Sequence, residues 1–132
     1  MTTTEIRVST QRRTQFISIT AKIAEVIANN GWQDGVATIF VPHTTAGVTI
    51  NENADPDVGR DMESFSDELI PQSKRFRHSE GNSDAYIKAS FYGSSVQVIV
   101  SNGKMWLGTW QGIYLCEFDG PRDRKVYVAM TT

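Results

Sequence analysis

The pattern of apolar and polar positions at the start of the chain predicts one strand followed by one helix. Polar and apolar residues alternate over Glu5–Ser9 (E-I-R-V-S), with the two-residue period of a strand. From about Gln15 to Asn30 the apolar residues recur at helical spacing, Thr14 is the predicted N-cap and Gly31 the stop. The apolar face of this predicted helix consists of Phe16, Ile19, Ile23, Val26 and Ile27.

An almost continuously apolar run, V-A-T-I-F-V, follows Gly35 and is rich in branched residues. This composition predicts a central strand that is buried on both faces. Pro42 ends the run, and extended structure is predicted to resume over Gly47–Ile50.

A second helix is marked at both of its ends. Asp55 is a predicted N-cap, Pro56 suits the first helical position, and Pro71 closes the segment. The predicted apolar stripe of this helix is Val58, Met62, Phe65 and Leu69. The other face carries Asp57, Asp61, Glu63, Asp67 and Glu68. Because these carboxylates spread around the polar arc, we expect a solvated face and not a metal site.

The remainder of the chain predicts a series of short strands. Tyr86–Tyr92 alternates, which would place Ile87, Ala89 and Phe91 on one side of a strand. Further strands are predicted at Val96–Val100, Met105–Leu107, Thr109–Phe118 and Val126–Met130. The Asn-Gly pair within Ser101–Lys104 favours a tight hairpin, and a turn at Gly120-Pro121 joins the last two strands. Two helices among about seven or eight strands predict an α+β domain built mainly from antiparallel sheet.

Composition narrows the class of protein. A chain of 132 residues fits a single domain over residues 1–132. The formal net charge of −2 argues against nonspecific binding to nucleic acid or to an anionic membrane. No signal sequence or membrane-spanning apolar run is evident, so we expect a cytoplasmic protein. Cys116 is the single cysteine, and its apolar surroundings predict a buried, inert thiol.

The two histidines, His43 and His78, are the first candidates for chemistry. Both lie in polar segments, and a neutral imidazole can bind a metal or transfer a proton near neutral pH. Glu52, Glu80 and Asp84 are carboxylates that could join them. No zinc-binding motif is present, and the alternative is two loop histidines that are bonded to backbone or water.

Two further segments carry polar groups with alternative explanations. Asn51, Glu52 and Asn53 precede the second helix, whose N-terminus favours anions, although they could equally form the turn and cap. Gly108 and Gly112 bracket Trp110 and Gln111, which indicates either the close approach of a ligand or a bulge beside a packed tryptophan.

A basic cluster lies at the turn before the last predicted strand. It consists of Arg122, Arg124 and Lys125, and guanidinium groups match phosphate oxygens well. The alternative is a solvated hairpin tip. No Walker A loop or Rossmann fingerprint is present, which makes standard nucleotide binding a poor explanation.

Three long segments together resemble the signature of the YjbQ-like family. They are V-P-H-T-T-A-G-V-T-I-N-E-N-A-D-P-D-V (Val41–Val58), R-H-S-E-G-N-S-D-A-Y-I-K-A-S (Arg77–Ser90) and L-G-T-W-Q-G-I-Y-L-C-E-F-D-G-P-R (Leu107–Arg122). The resemblance implies a mainly antiparallel, jelly-roll-like β-sandwich with two helices, assembled as a homotrimer. It also implies a secondary thiamine-phosphate synthase, which joins a hydroxymethylpyrimidine pyrophosphate to a thiazole phosphate with weak activity.

The resemblance also implies roles for individual residues. His43 and His78 match two family histidines that resemble a catalytic cluster or the ligands of a divalent metal, Zn or Mg. The candidate catalytic residues are these two histidines and Glu52, which could join them around the cation or as an acid–base group. The third family histidine is replaced here by Tyr86, whose phenol would have to lose a proton of pKa near 10 to act as a ligand. The candidate contacts to a small phosphorylated substrate are Asn51, Asn53, Lys88, Trp110, Gln111, Arg122 and Arg124. The alternatives are a non-catalytic trimeric module that binds a ligand or a metal, and a metal-dependent hydrolase.

Overall fold

The computed structural model describes residues 2–132, which form eight strands and three helices. The strands are β1 (Thr2–Ser9), β2 (Gln15–Ser18), β3 (Gly35–Phe40), β4 (Ala46–Glu52), β5 (Ser95–Ser101), β6 (Lys104–Met105), β7 (Gln111–Glu117) and β8 (Asp123–Thr131). The helices are α1 (Thr20–Asn29), α2 (Pro56–Leu69) and α3 (Ser83–Tyr92). All strand pairs among these residues are antiparallel, so the predicted α+β class is confirmed, with three helices where two were predicted.

The strands form two sheets that enclose the main core. The larger sheet has five strands in the order β1-β8-β3-β5-β6, and the smaller has three in the order β2-β7-β4. Side chains of both sheets pack together with the apolar face of α1 in one buried cluster. Its members on α1 and just before it are Ile19, Ile23, Val26 and Ile27, as the helical spacing predicted. No helix within residues 2–132 has the length and apolar character needed to cross a bilayer.

The smaller sheet is buried on both of its faces. Ile113 and Leu115 of β7 belong to the main core, whereas the intervening Tyr114 and Cys116 belong to a second cluster on the opposite face. That cluster also contains Phe16, Ala85, Ala89 and Phe118, with Met62 and Tyr92 packed against it. Helices α2 and α3 therefore cover the outer face of this sheet. Burial raises the pKa of the Cys116 thiol well above its ordinary value, as expected for an inert cysteine.

The helix predicted to start near Gln15 starts five residues later. Gln15–Ser18 instead forms β2, an edge strand that pairs with β7. Thr14 does not cap a helix, because its hydroxyl donates a hydrogen bond to Asp67 Oδ1 at 2.7 Å. Pairing with β7 outweighs the local helical spacing, and it sends Phe16 into the second cluster while Ile19 enters the main core.

The strand predicted at Tyr86–Tyr92 is wrong, because this segment belongs to α3. Ala85 and Ala89 lie one turn apart and pack on the smaller sheet, while Asp84 and Lys88 form an ion pair at the same spacing. Gly93, with φ of 93°, ends the helix. The polar stretch before it therefore leads into a helix and not into a sheet.

Helix α2 begins as predicted but presents a different face to the sheet. The Asp55 side chain accepts a hydrogen bond from the Asp57 backbone N–H at 2.9 Å. The buried residues of this helix are Gly59, Glu63 and Ser66. Half of the predicted apolar stripe is exposed, since Phe65 and Leu69 keep 60% and 65% of their surface in solvent, whereas Val58 and Met62 are half-buried. The predicted solvated face was therefore wrong for Glu63.

The remaining strand predictions hold with two changes. Asn102 and Gly103 have φ values of 51° and 75°, which is the tight hairpin geometry that Asn-Gly predicted. The return strand β6 ends at Met105, and Trp106 is exposed. β3 is central, as predicted, but it is buried on one face only, since Phe40 is 41% exposed.

Candidate functional site

The structure divides the sequence-predicted site residues between the two ends of β4. His43 lies just before this strand and Glu52 is its last residue. Because an antiparallel strand rises about 3.4 Å per residue, the two ends of β4 are about 20 Å apart. His43 and Glu52 of one chain therefore do not form one catalytic group.

His43 is fixed by a backbone hydrogen bond from the last strand. The Lys125 N–H donates to His43 Nε2 at 2.9 Å, and Nδ1 has no hydrogen-bond partner within residues 2–132. Burial lowers the pKa of His43 below its ordinary value, and the positive charge of Arg124 lowers it further. The imidazole is therefore neutral at pH 7 and carries its proton on Nδ1.

Arg124, a predicted phosphate contact, lies in a buried ion pair behind His43. Its guanidinium bonds both carboxylate oxygens of Glu117, through Nε at 2.8 Å and through Nη2. It also donates to Thr45 Oγ1 at 2.8 Å, and only 4% of the residue is exposed. Arg124 is thus committed to the interior, where it positions the start of β8 and the Lys125 N–H.

Tyr86 lies between the two histidines. Its ring meets the His78 ring edge to face, with centroids 5.6 Å apart. Tyr86 also lines the cleft of about 470 Å³ that contains His43, and Ala46, Ala89 and Gly93 form part of the same wall. His78 is not among the residues that line this cleft, and its Nε2 lies 3.6 Å from Glu80 Oε2. His43 and His78 therefore line different clefts that adjoin at Tyr86.

The cleft on the His78 side contains a group of cations that the sequence reasoning missed. Lys74 and Arg77 line this cleft of about 550 Å³, and Arg75 lies between them in the chain. In the part of the chain that the structure describes, no carboxylate forms an ion pair with any of the three. The signal was visible in S-K-R-F-R-H, which concentrates positive charge in a chain of net charge −2.

Polar residues at the far end of β4 stabilise local structure. Glu52 Oε2 accepts hydrogen bonds from the backbone N–H groups of Ala54 and Asp55, at 2.7 and 3.1 Å. The Asn51 side chain accepts from the Glu52 N–H at 2.8 Å. The Asn53 side chain donates to Ser18 Oγ at 2.9 Å. These contacts correspond to the turn-and-cap alternative.

The glycine-bracketed segment shows a close approach between protein groups. A Cβ at Gly112 would lie 2.2 Å from Asn53 Nδ2, so only glycine fits there. Gln111 Oε1 accepts a hydrogen bond from the Gly108 N–H at 2.8 Å. Trp110 is 64% exposed and lies beside Glu52. Trp110 therefore offers its ring to solvent, and Gln111 is also exposed although its Oε1 is bonded within the segment.

Lys88, another predicted phosphate contact, is 1% exposed. Its Nζ lies 2.9 Å from Asp84 Oδ2 and 2.7 Å from Asp67 Oδ1. Asp84 also receives two guanidinium bonds from Arg13, both of 3.0 Å. Burial alone would raise the pKa of Asp84, but the hydrogen bonds from Arg13 and Lys88 outweigh it and lower the pKa.

Arg122 remains at the surface but is held from within its own turn. Its Nε donates to the Asp119 carbonyl at 2.9 Å, and Nη2 donates to Asp119 Oδ2 at 3.1 Å. About half of its side chain is exposed, so it could reach a ligand only at the edge of the turn.

The donor groups of one chain do not fit the Zn or Mg centre that the resemblance implied. Within residues 2–132 no cluster of three His, Cys, Asp or Glu side chains could hold a metal ion. The Nε2 lone pair of His43 accepts a hydrogen bond from the Lys125 N–H, and Tyr86 has a hydroxyl group where a third imidazole would supply a ring nitrogen.

Comparison with known proteins matches nearly the whole chain to a single protein family. Residues 4–132 match the family described as "UPF0047 protein YjbQ-like". A UPF0047 protein of Methanocaldococcus jannaschii is 52% identical over 122 residues, which cover 92% of this chain and 88% of that protein. The UPF0047 protein YugU of Bacillus subtilis is 50% identical over 126 residues, covering 95% of this chain and 96% of its own.

Solved structures agree with the sequence matches. An uncharacterized conserved protein of the YjbQ/UPF0047 family from Clostridium acetobutylicum is 54% identical, with a TM-score of 0.93, and the match covers 97% of this chain and 99% of that chain. A hypothetical protein from Aeropyrum pernix K1 is 35% identical, with a TM-score of 0.94 and coverage of 99% and 98%. The fold described above is therefore that of these relatives.

Proposed function

The chain belongs to the UPF0047 YjbQ-like family, and from this premise we propose that it is a small enzyme of the thiamine-phosphate synthase type. Such an enzyme joins a hydroxymethylpyrimidine pyrophosphate to a thiazole phosphate and releases pyrophosphate. The proposed substrate surface is the pair of adjoining clefts on either side of Tyr86.

The observation that supports the proposal is the excess of hydrogen-bond donors on this surface. Among the described residues, no carboxylate lines either cleft, whereas Lys74, Arg77 and the Nδ1–H of His43 do. Glu80 lies at the edge, next to His78, and forms no ion pair with the two cations. In a chain of net charge −2, this local arrangement favours a phosphorylated ligand.

The proposed reaction needs electrostatic stabilisation more than acid–base catalysis. A bond forms between the pyrimidine methylene carbon and the thiazole nitrogen, while the C–O bond to pyrophosphate breaks and its electron pair leaves with pyrophosphate. The number of protons does not change. Lys74 and Arg77 suit the negative charge of the leaving group, and the rings of His78 and Tyr86 suit the positive charge on the methylene carbon.

The test is to measure thiamine phosphate formed from the two phosphorylated substrates by purified protein. We expect the Lys74→Gln, Arg77→Gln double variant to lose roughly 10–100-fold in rate, because each cation contributes a charged hydrogen bond to phosphate. Lys22→Gln is the matched control, since Lys22 is an exposed cation on α1 that forms no ion pair with another residue of 2–132. No product from the wild-type protein, together with no rescue of cells that lack the usual enzyme, would overturn the proposal.

A trimeric binding module without catalysis is the second candidate. It is supported by apolar side chains left on the surface, among them Phe65, Leu69, Phe91, Trp106 and Trp110, each at least 60% exposed. Phe65 and Leu69 lie one turn apart on α2 and therefore adjoin, and a contiguous exposed apolar patch is typical of a surface that contacts another subunit. We expect light scattering to give three times the chain mass, and Phe65→Asp with Leu69→Asp to lower it. A monomeric wild-type protein, or the formation of thiamine phosphate by the wild-type protein, would contradict this candidate.

A further inference from the structure

The side-chain polar groups of the His43 cleft can each donate a hydrogen bond and include no carboxylate, and we infer that this cleft binds a phosphate group directly and does not bind a divalent metal ion. The inference rests on the proposed function for the class of ligand, a phosphorylated small molecule. The geometry from which it is argued, the hydrogen bond of His43 and the hydroxyl groups of the cleft, does not depend on whether the protein catalyses that reaction.

The tautomer of His43 is the first step. A backbone N–H can only donate, so the Lys125 N–H at 2.9 Å requires a lone pair on His43 Nε2. The proton of the neutral ring is then on Nδ1, which has no partner among residues 2–132. His43 lines the cleft, and the ring nitrogen that remains available to a ligand is therefore an N–H donor and not a lone pair.

Metal binding through His43 would require the opposite tautomer. Nδ1 would have to lose its proton to coordinate the ion, and the neutral ring would then carry a proton on Nε2, facing the Lys125 N–H. Two donors would point at each other, and the hydrogen bond that holds the ring would be lost. Lys125 lies in β8, whose position is fixed by pairing with β1, so the backbone is not free to move away.

The other groups of the cleft are compatible with an anion. Tyr86, Thr44 and Ser94 line it, and none of their hydroxyls forms a hydrogen bond within the described part of the chain. No lining residue carries a carboxylate. The Arg124 guanidinium acts on His43 from behind, with its charge shared with Glu117. A phosphate oxygen could thus accept from His43 Nδ1–H and from one or more hydroxyls.

Nitrogen NMR of the imidazoles tests this inference directly. The chain has two histidines, so a His78→Gln variant assigns the His43 signals. In ¹⁵N-labelled full-length protein at pH 7.5, we expect a protonated Nδ1 and an unprotonated Nε2. Inorganic pyrophosphate should shift His43 Nδ1–H in a saturable manner, whereas equimolar Zn²⁺ in a separate sample should leave His43 unchanged.

Two variants at Tyr86 sharpen the result. Tyr86→Phe should weaken the pyrophosphate response several-fold, because it removes one hydroxyl donor and keeps the ring. Tyr86→His supplies a third imidazole, yet Zn²⁺ should still leave His43 unchanged, because Nε2 remains bonded to Lys125 N–H. A proton on Nε2, a saturable Zn²⁺ shift of His43 in either protein, or no response to pyrophosphate would each overturn the inference.

The outcome is separable from that of the proposed function. If the protein forms no thiamine phosphate but shows the expected His43 shifts, the anion site stands and the proposed reaction is refuted. If the protein forms thiamine phosphate and Zn²⁺ ligates His43, the proposed reaction stands and the anion site is refuted.

Discussion

Asp84 joins two cations in the interior, and removing its carboxylate should destabilise the protein by about 3–5 kcal/mol. Asp84 is fully buried and accepts two bonds of 3.0 Å from Arg13 and one of 2.9 Å from Lys88. In Asp84→Ala, Lys88 would remain buried at 1% exposure with the half-exposed Asp67 as its single anionic partner. An incompletely compensated buried charge carries a cost of this size.

Removing Lys88 should cost less than removing Asp84. In Lys88→Met, the Asp84 carboxylate keeps both guanidinium bonds of Arg13, so we expect a loss of about 1–3 kcal/mol, the range for a single charged hydrogen bond. The double variant should be less destabilised than the sum of the two single variants, with a coupling of about 0.5–3 kcal/mol. Arg60→Met is the matched control: its pair with Asp57 is exposed and should contribute less than about 1 kcal/mol.

Urea denaturation at pH 7, followed by circular dichroism, measures these differences. The pH dependence gives a second check. Because the pKa of Asp84 is lower in the folded than in the unfolded state, its contribution is present above the ordinary value of 3.8 and is lost as the pH falls through the folded pKa. The difference between wild type and Asp84→Asn should shrink below that value. Equal losses for Asp84→Ala and Lys88→Met would refute the reasoning.

Three further predictions concern individual residues. Burial and the charge of Arg124 lower the pKa of His43, so its NMR titration midpoint should lie below 6.5, and a midpoint at or above 6.5 would contradict this. The free energy of unfolding should also decline as the pH falls through 6.5, because the unfolded chain takes up the proton first. Gly112→Ala should lower the free energy of unfolding by about 1–3 kcal/mol, because its Cβ would overlap with Asn53. Gly59→Ala is the control: its Cβ would lie 3.4 Å from the Tyr114 hydroxyl, so it should be neutral or stabilising by up to about 1 kcal/mol. Urea midpoints with the reverse order would rule this out. The buried Cys116 thiol should react with a disulfide reagent at pH 8 only after denaturation, and rapid reaction of the folded protein would disprove its burial.

Elements with strong local signals could be predicted from the sequence. The start of α2 depends on Asp55 and Pro56, and the β5–β6 hairpin depends on Asn102 and Gly103. In each case the residue that gives the signal also makes the deciding contact or adopts the deciding dihedral angle. The fold class was therefore accessible from short stretches.

Helix α3 shows why the remainder was not accessible in the same way. Its apolar residues fit both the period of a strand, at Ile87 and Ala89, and that of a helix, at Ala85 and Ala89. The contacts that decide between them come from distant segments, since Arg13 is 71 residues away from Asp84. The four-residue spacing of Asp84 and Lys88 is a local helical signal. How strongly this pair stabilises the helix depends on the buried partners that distant segments bring to it.

The site was predicted less well than the fold for a related reason. The basic cluster predicts Arg124 as a phosphate contact and the resemblance implies the same role for Lys88, yet both have carboxylate partners that the fold brings to them. The hydrogen bond that sets the tautomer of His43 spans 82 residues and comes from a backbone N–H, which leaves no trace in residue types. Lys74 and Arg77, by contrast, lie in an exposed loop where charge density alone was informative.

The two-sided burial of β7 has a consequence for how the protein opens. Because its side chains contribute alternately to both clusters and its backbone pairs with β2 and β4, neither core can come apart without exposing this strand. The amide hydrogens of Ile113–Glu117 should therefore exchange with solvent only through global unfolding, whereas those of the edge strand β1 exchange through local fraying.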